Sequence, residues 1–367
     1  MEFFFIAITV LYFLLQLLLL TGLKRSSSLR KNDSGTFPKV SVIVAARNEE
    51  KNIVRCIQSL SKLHYPKDLI EVILVNDNST DRTYELMNES TKDLNIFKVI
   101  NSRKNSSQNL KGKANAIDTA IEISSGDLIF STDADCEVPS DWITETVKYY
   151  SERTGMVCGF TMIKFEKSLF AKLQCIDWLY LLTLASASAG LKMTLSCVGN
   201  NLSFSKRTYR NVGGYESINF SVTEDFALMR KIDSDRNYQI EFPVNKKCLV
   251  ESLPCENISE VFSQKRRWFR GGIGINFLGY IVGFEIYIVN FLLIFGLIFI
   301  SYKIYFLLLL IRMVSELILF SKILNRFELQ VLYGYYPLFI FYFAIYGLLL
   351  PWSFLFSKKI KWKGQKF

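Results

Sequence analysis

Asp127-Leu128-Ile129-Phe130-Ser131-Thr132-Asp133-Ala134-Asp135 decides the reading of this chain. Asp127 to Thr132 has the make-up of a buried strand, and the apolar run stops at an Asp-x-Asp. Two spaced carboxylates at a strand end suit a divalent cation that holds a diphosphate. The same grammar recurs upstream. Val40 to Ala46 is a buried-type strand that ends at Arg47-Asn48-Glu49-Glu50. A helix follows through Asn52 to Leu63, with Ile53, Cys56, Ile57 and Leu60 at helical spacing. Ile70 to Val75 is a second strand, stopped by Asn76-Asp77-Asn78-Ser79-Thr80-Asp81, where Thr80 or Asp81 caps the next helix. Phe97 to Ile100 is a third strand and Ala114 to Ile123 a third helix. Such alternation predicts a mostly parallel, doubly wound α/β sheet with function at the carboxyl ends of its strands. The layout is Rossmann-like, yet no Gly-x-Gly-x-x-Gly follows the first strand, which disfavours a dinucleotide oxidoreductase.

Half of the 367 residues are hydrophobic and 14% are aromatic, high shares for a wholly soluble protein. Phe3 to Leu20 carries no formal charge and is long enough to span a hydrocarbon core of ~30 Å. Its basic residues come afterwards, as Lys24, Arg25, Arg30 and Lys31, which favours an uncleaved anchor with the following domain in the cytoplasm. Leu169, Leu173, Ile176, Tyr180 and Leu184 fit one helical face within the apolar stretch 170–195, and predict an amphipathic segment at the membrane interface or a core helix. From Ile275 to Phe356 apolar residues dominate. Ile286 to Ile300 and Leu332 to Leu350 are candidate spans; Ile304 to Phe320 is interrupted by Arg312 and Glu316, four apart and so able to pair. Three spans there would leave the basic tail outside, against the charge bias, whereas two or four would return it to the cytoplasm.

The net charge of +10 gathers beside apolar segments, at Lys24 to Lys31, Lys265 to Arg270 and Lys358 to Lys366. That placement suits anionic headgroups, and no helix-turn-helix, zinc-finger or RNP-like pattern points to nucleic acid. Seven cysteines without a Cys-x-x-Cys pair argue against a disulfide framework or zinc ribbon and fit a reducing cytoplasm. The single histidine, His64, lies in a loop-like Leu-His-Tyr-Pro without catalytic partners in sequence.

Further carboxylates and cations complete a pattern of group transfer from a nucleotide-sugar at a membrane. Glu224-Asp225 offers a proton acceptor, and Gln264-Lys265-Arg266-Arg267-Trp268 an Arg–Trp pair for phosphate charge and a sugar face. With Ala46 to Glu50, Val75 to Asp81, Gly112-Lys113-Ala114-Asn115-Ala116, Asp133-Ala134-Asp135 and Gly199-Asn200-Asn201-Leu202-Ser203-Phe204, the chain resembles the membrane-bound family 2 glycosyltransferases. The resemblance is to the branch with ceramide glucosyltransferases and the cellulose, chitin and hyaluronan synthases. It covers roughly residues 38 to 272, and Gln-x-x-Arg-Trp is its most specific element. It implies a GT-A fold, with an α/β Rossmann-like cytoplasmic domain flanked by transmembrane helices. The expected division is an anchor at 1–22, a basic linker at 23–37, the GT-A domain at 38–272, a membrane region of about three spans at 273–356, and a basic tail at 357–367. The tail's Lys361-Trp362-Lys363-Gly364 resembles that of many members.

The same resemblance assigns expected roles. Asp77 accepts from the ring N–H of the base and Glu49 reaches the nucleoside; the family more often has Asp-Asp where this chain has Asn76-Asp77. A turn with an Asx cap is the alternative reading there. Lys113, in a loop before a helix, suits the donor's phosphates. Asp135 is the expected ligand of Mg²⁺ or Mn²⁺, with Asp133 on the ribose or a metal water. Asp225 is the expected general base of an inverting displacement, although Glu224 and Asp225 also suit the cap of a helix from Phe226 to Ile232. Gln264, Arg266, Arg267 and Trp268, with Glu224, form the acceptor and diphosphate side. The expected donor is UDP-linked and the acceptor a membrane lipid or lipid-linked group, in a multi-pass protein of the inner cell membrane. A processive polysaccharide synthase is the alternative, and a membrane-bound nucleotidyltransferase the alternative of another class.

Overall fold

The computed structural model describes residues 1–29, 31–32, 35–104, 107–272, 274–275, 277–356, 361–362 and 365–366. Arg30 and most of the basic tail, including Lys358, Lys363 and Gly364, lie outside the described residues. In chain order the first elements are α1 (Glu2–Ser27), β1 (Val40–Ala46), α2 (Ile53–Ser61), β2 (Ile70–Asn76), α3 (Thr83–Thr91), β3 (Phe97–Asn101), α4 (Gly112–Ile123), β4 (Leu128–Asp133), β5 (Cys136–Glu137) and α5 (Trp142–Thr146). Then come β6 (Thr154–Cys158), β7 (Thr161–Ile163), α6 (Leu169–Gly190), β8 (Leu202–Ser205), α7 (Lys206–Asn211), α8 (Glu224–Ser234), β9 (Gln239–Glu241) and β10 (Val250–Ser252). Four long helices follow: α9 (Ile258–Gly272), α10 (Phe277–Phe299), α11 (Tyr302–Arg326) and α12 (Tyr336–Phe356). Contacts divide the chain into an α/β unit, Ser28–Met162 with Ser196–Leu253, and a helical unit, Met1–Ser27, Ile163–Leu195 and Pro254–Phe367.

The α/β unit is built on a seven-stranded sheet in the order β3-β2-β1-β4-β8-β6-β9. β1 pairs in parallel with β2 and β4, and β2 with β3, while β8 runs antiparallel to β4 and β6. Every residue of β2 is buried, as are six of the seven in β1, because helices cover both faces of a mostly parallel sheet. α2 lays Ile53, Cys56, Ile57 and Leu60 into that core, the spacing its sequence predicts. The chain winds one way from β1 to β3 and then returns to place β4 on the other side of β1. That reversal opens a crevice at the carboxyl ends of β1 and β4, where Ala45 lies in register with Asp133. Lys31 of the linker is tied into this unit, with its ammonium 2.6 Å from Glu145 Oε2.

Among the described residues of the helical unit, five helices are long and apolar enough to cross a membrane by length and composition: Glu2–Ser27, Leu169–Gly190, Gly279–Phe299, Tyr302–Arg326 and Gln330–Ser353. The second decides between the two expected readings in favour of a core helix. No single amphipathic stripe exists on α6: Leu169 is exposed, whereas Gln174, Asp177, Trp178, Thr183 and Ser186, off the predicted face, are buried. Small residues are the reason at its C-terminal end. A Cβ on Gly190 would stand 2.0 Å from the Gly22 carbonyl oxygen, and one on Gly22 2.0 Å from that of Ala187, so α1 and α6 meet backbone to backbone. Ser26 Oγ donates to the Ser186 carbonyl at 2.7 Å across this crossing.

Arg312 and Glu316 pair within α11, as their spacing predicts, with Nε 2.9 Å from Oε1. They do more than pair. The Arg312 guanidinium also donates to the Val289 carbonyl at 3.1 Å and to Asn290 Oδ1 at 2.6 Å on α10. Glu316 accepts from Tyr12 of α1 at 2.6 Å and from Tyr336 of α12 at 2.7 Å. Both members of the pair thus draw hydrogen bonds from other helices, which makes their burial tolerable in an apolar surrounding.

Candidate active site

At the end of β1 the chain turns through Asn48 with φ +53° and buries Glu49. Glu49 Oε2 accepts from Asn52 at 2.8 Å, and its backbone N–H donates to Thr83 Oγ1 at 2.7 Å. Asp77 follows β2, its N–H bonded to the Ala46 carbonyl at 2.8 Å, so the ends of β1 and β2 hold Glu49 and Asp77 on adjacent strands. Asp77 Oδ1 accepts from Ser102 at 3.0 Å. Asn76 serves the turn itself. Its amide donates to Asn101 Oδ1 at 2.7 Å and accepts from the Ser79 N–H at 3.1 Å. An aspartate there has no N–H for Asn101, which accounts for Asn at this position. Asp81 caps α3 as expected, accepting from the Thr83 N–H at 3.0 Å.

The centre of the unit's charge lies at the end of β4. Lys113, on the first turn of α4, places its ammonium 2.5 Å from Asp133 Oδ1 and 3.3 Å from Glu224 Oε1. Burial disfavours the Lys113 charge, but Asp133, Glu224 and Asp225 outweigh it and push its pKa above the ordinary lysine range. Glu224 and Asp225 open α8, and Asp225 Oδ1 accepts from the Phe226 N–H at 2.8 Å. Glu224 and Asp225 are thus the first helical residues, after Thr223 at the cap, and not themselves the cap of a helix from Phe226; the second oxygen of Asp225, Oδ2, is turned towards Gly199. A Cβ on Gly199 would lie 3.1 Å from Asp225 Oδ2 and 3.2 Å from Lys113 Nζ, so the missing side chain keeps this corner open. Lys113, Asp133, Glu224 and Asp225, from three separate stretches of sequence, are therefore brought together.

Asp135 sits one step along the turn, half-buried. Arg55 of α2 donates to its carbonyl at 2.9 Å, and the Cys136 thiol lies 3.4 Å from its Oδ1. Cys56 approaches the Asp133 carbonyl at 3.6 Å; burial pushes its thiol pKa well above the usual range, which leaves it inert. Among the described residues no group of three or more His, Cys, Asp and Glu forms a metal cage. Mg²⁺ and Mn²⁺ do not require one: hard cations at phosphates take one or two carboxylates and complete their shells with water and substrate oxygen. The all-oxygen set of Asp133 and Asp135 fits such an ion.

Gln264, Arg266, Arg267 and Trp268 belong to the helical unit, on α9, and Arg266, Arg267 and Trp268 are half-buried. Trp268 meets Trp178 of α6 edge to face with centroids 4.9 Å apart. Lys265, expected within the basic cluster Lys265 to Arg270 that suits anionic headgroups, is instead buried, paired with Asp177, with its ammonium 4.3 Å from the Trp268 ring centroid. Sequence reading passed over the structural bonds of Asn200 and Asn201. Asn200 accepts from Thr161 at 2.9 Å, and Asn201 spans Trp142 Nε1 and the carbonyls of Phe160 and Cys248. Two consecutive Asn after Gly199 were the signal for them. His64 is exposed, 3.0 Å from Asp141.

A parallel-sheet crevice lined with acidic residues, in a chain that also carries candidate membrane spans, is the setting for the comparisons with known proteins. Residues 41–214 match the model of glycosyl transferase family 2, and residues 128–356 that of glycosyl transferase family group 2. The chain belongs to this family. Among its relatives is a beta-monoglucosyldiacylglycerol synthase of Nostoc sp., 28% identical over 254 residues, which are 66% of this chain and 51% of the relative. Another is a poly-beta-1,6-N-acetyl-D-glucosamine synthase of Staphylococcus epidermidis, 26% identical over 246 residues, with shares of 66% and 56%. The chain spans about half the length of the curated relatives it matches. In fold it is similar to a mannosyltransferase from Pyrobaculum calidifontis determined with GDP-Man and Mn²⁺ (TM-score 0.62, 17% identity, 96% of this chain and 99% of that one).

Proposed function

We propose that this protein is an inverting glycosyltransferase that moves a sugar from a nucleotide-sugar to a lipid or lipid-linked acceptor at the cytoplasmic face of a membrane. The observation that carries the reading is the convergence of Lys113, Asp133, Glu224 and Asp225 at the β4 end of the sheet's crevice. Glu49 and Asp77, at the ends of the two neighbouring strands, hold the nucleoside. Lys113 already faces the carboxylates and offers its ammonium to the donor diphosphate. Asp135 would hold Mg²⁺ or Mn²⁺, with Asp133 on the ribose or a metal water, and the ion would supply charge neutralisation of the diphosphate. Asp225 takes the proton of the acceptor hydroxyl as that oxygen bonds the anomeric carbon and the bond to diphosphate breaks. Attack from the face opposite the leaving group inverts the centre. Glu224 holds Lys113 from the α8 side. Arg266 and Arg267 offset leaving-group charge, while Gln264 and Trp268 serve the acceptor.

Lipid transfer is supported by the beta-monoglucosyldiacylglycerol synthase relative, and a processive glycan synthase by the poly-beta-1,6-N-acetyl-D-glucosamine synthase relative. The family match removes support from a nucleotidyltransferase. UDP is the proposed donor nucleotide. Incubation of the purified chain with UDP- and GDP-sugars, with and without diacylglycerol vesicles, tests all of this through nucleotide release and product analysis. The expected result is release that depends on a UDP-sugar, on Mg²⁺ or Mn²⁺ and on the vesicles, with one sugar per lipid. Release from no donor would defeat the reading, and long glycan chains would replace the lipid acceptor by a growing polymer. Orientation is read separately: a reporter cysteine at Ser27 should resist an impermeant thiol reagent in intact cells.

A further inference from the structure

Asp177 of α6 and Lys265 of α9 form an ion pair inside the helical unit, both at 3% exposure or less. Asp177 is held from a third helix as well: its Oδ1 accepts from Tyr346 OH of α12 at 2.5 Å. The Lys265 ammonium lies 4.3 Å from the centroid of the Trp268 ring and 5.5 Å from that of Tyr346. Trp178, the neighbour of Asp177, meets the same Trp268 ring with centroids 4.9 Å apart. Two adjacent residues on α6 thus grip two residues of α9 that stand three apart, and so on one face of that helix.

A buried ion pair is a weak source of stability, because desolvation offsets its attraction. Replacement of both charges by neutral groups is often neutral or stabilising, whereas removal of one strands the other. Its better use is to select one register among several that apolar packing would accept. On α9 the register matters. Lys265 and Trp268 face α6, and helical geometry then sets the direction in which Arg266 and Arg267 leave the axis. The Trp268 ring is itself held from two sides, by the Lys265 ammonium and by Trp178.

We propose that the Asp177–Lys265 pair is a positioning device that sets the rotation of α9 and so the directions in which Arg266, Arg267 and Trp268 leave that helix. This rests on the transfer reading above. Neither residue touches the reacting atoms; both act through the side chains they orient.

The test uses the full chain in lipid nanodiscs, with donor KM, kcat of transfer, affinity for the nucleoside diphosphate and thermal midpoint measured together. Asp177→Asn and Lys265→Met alone should lower both midpoint and kcat. In the double variant Asp177→Asn/Lys265→Met the midpoint should return close to wild type while kcat stays down about tenfold or more. Nucleoside diphosphate affinity in that variant should fall as well, because Arg266 and Arg267 are the groups proposed to meet its charge, whereas a purely structural pair would leave it unchanged. Recovery of kcat together with the midpoint in the double variant would overturn the proposal and leave a purely structural pair. A wild type that releases nucleotide from no donor would overturn the transfer reading and this proposal with it, whereas an active wild type matched by an equally active double variant overturns the proposal alone.

Discussion

Lys113 in the α/β unit and Arg312 in the helical unit both meet carboxylates away from bulk water, but they are satisfied differently. Arg312 and Glu316 are sealed among helices, with hydrogen bonds to or from α1, α10 and α12. Lys113 faces several acidic groups, and the Asp133 side chain beside it keeps 35% of its surface open. A sealed pair is out of reach of a ligand and holds structure. An acidic excess around one ammonium, open on one side, is poised for a cation and for phosphate. Burial of charge by itself therefore does not mark a site; several carboxylates gathered round one cation beside solvent do.

The contrast breaks most visibly at the metal turn. Asp135→Ala should abolish turnover and weaken metal-dependent nucleotide binding, with EDTA doing the same to the wild type; full activity of either would sink the metal assignment. Asp225→Asn keeps the shape and removes the proton acceptor, so kcat should fall ~10²-fold or more with little change in nucleoside diphosphate affinity by calorimetry. Its thermal midpoint should stay near wild type. If Asp225→Asn transfers normally, the base lies elsewhere and Glu224 is the next residue to replace. Arg312→Met should do the reverse: strand Glu316, cost about 3–5 kcal/mol of stability, and be partly rescued by Glu316→Gln in the same chain. Normal detergent stability of Arg312→Met would show that the sealed cluster holds nothing.

A smaller effect sharpens the contrast within the α/β unit. Burial works against ionisation of Glu71, but Lys98, Ser41 and Ser125 outweigh it and lower its pKa from 4.5 to about 2. The folded value is the depressed one, so its contribution is present above pH 4.5 and is lost as pH falls towards 2. Glu71→Gln should lose about 1–3 kcal/mol at neutral pH. It should also flatten the acid limb of unfolding followed by circular dichroism. An unchanged acid limb would remove Glu71 from the account.

Much of the α/β unit was legible because its physics is local. β1 spans the expected Val40–Ala46, since a strand covered on both faces is a continuous apolar run that polar turn residues must end. The Asp-x-Asp turn and the α8 carboxylates were named from residue type and position. Less legible was α6: a few charges in an apolar stretch read as an amphipathic stripe, but burial depends on partners that periodicity does not contain. Asn76 was weighed against the family's usual Asp, and its role became clear only with Asn101 beside it.

Sequence by itself determined the order of the first four strands and the helices between them, the strand ends that carry Asp77, Asp133 and Asp135, and the length and apolarity of the candidate spans. These follow from backbone rules and from side chains a few residues apart. Only the tertiary structure decided which charges meet. Lys113 joins Asp133 and Glu224, Lys265 joins Asp177, and Glu316 draws on Tyr12 and Tyr336. Such pairs are distant along the chain, and each forms because packing removes water from both partners at one place, leaving every buried charge to find the other.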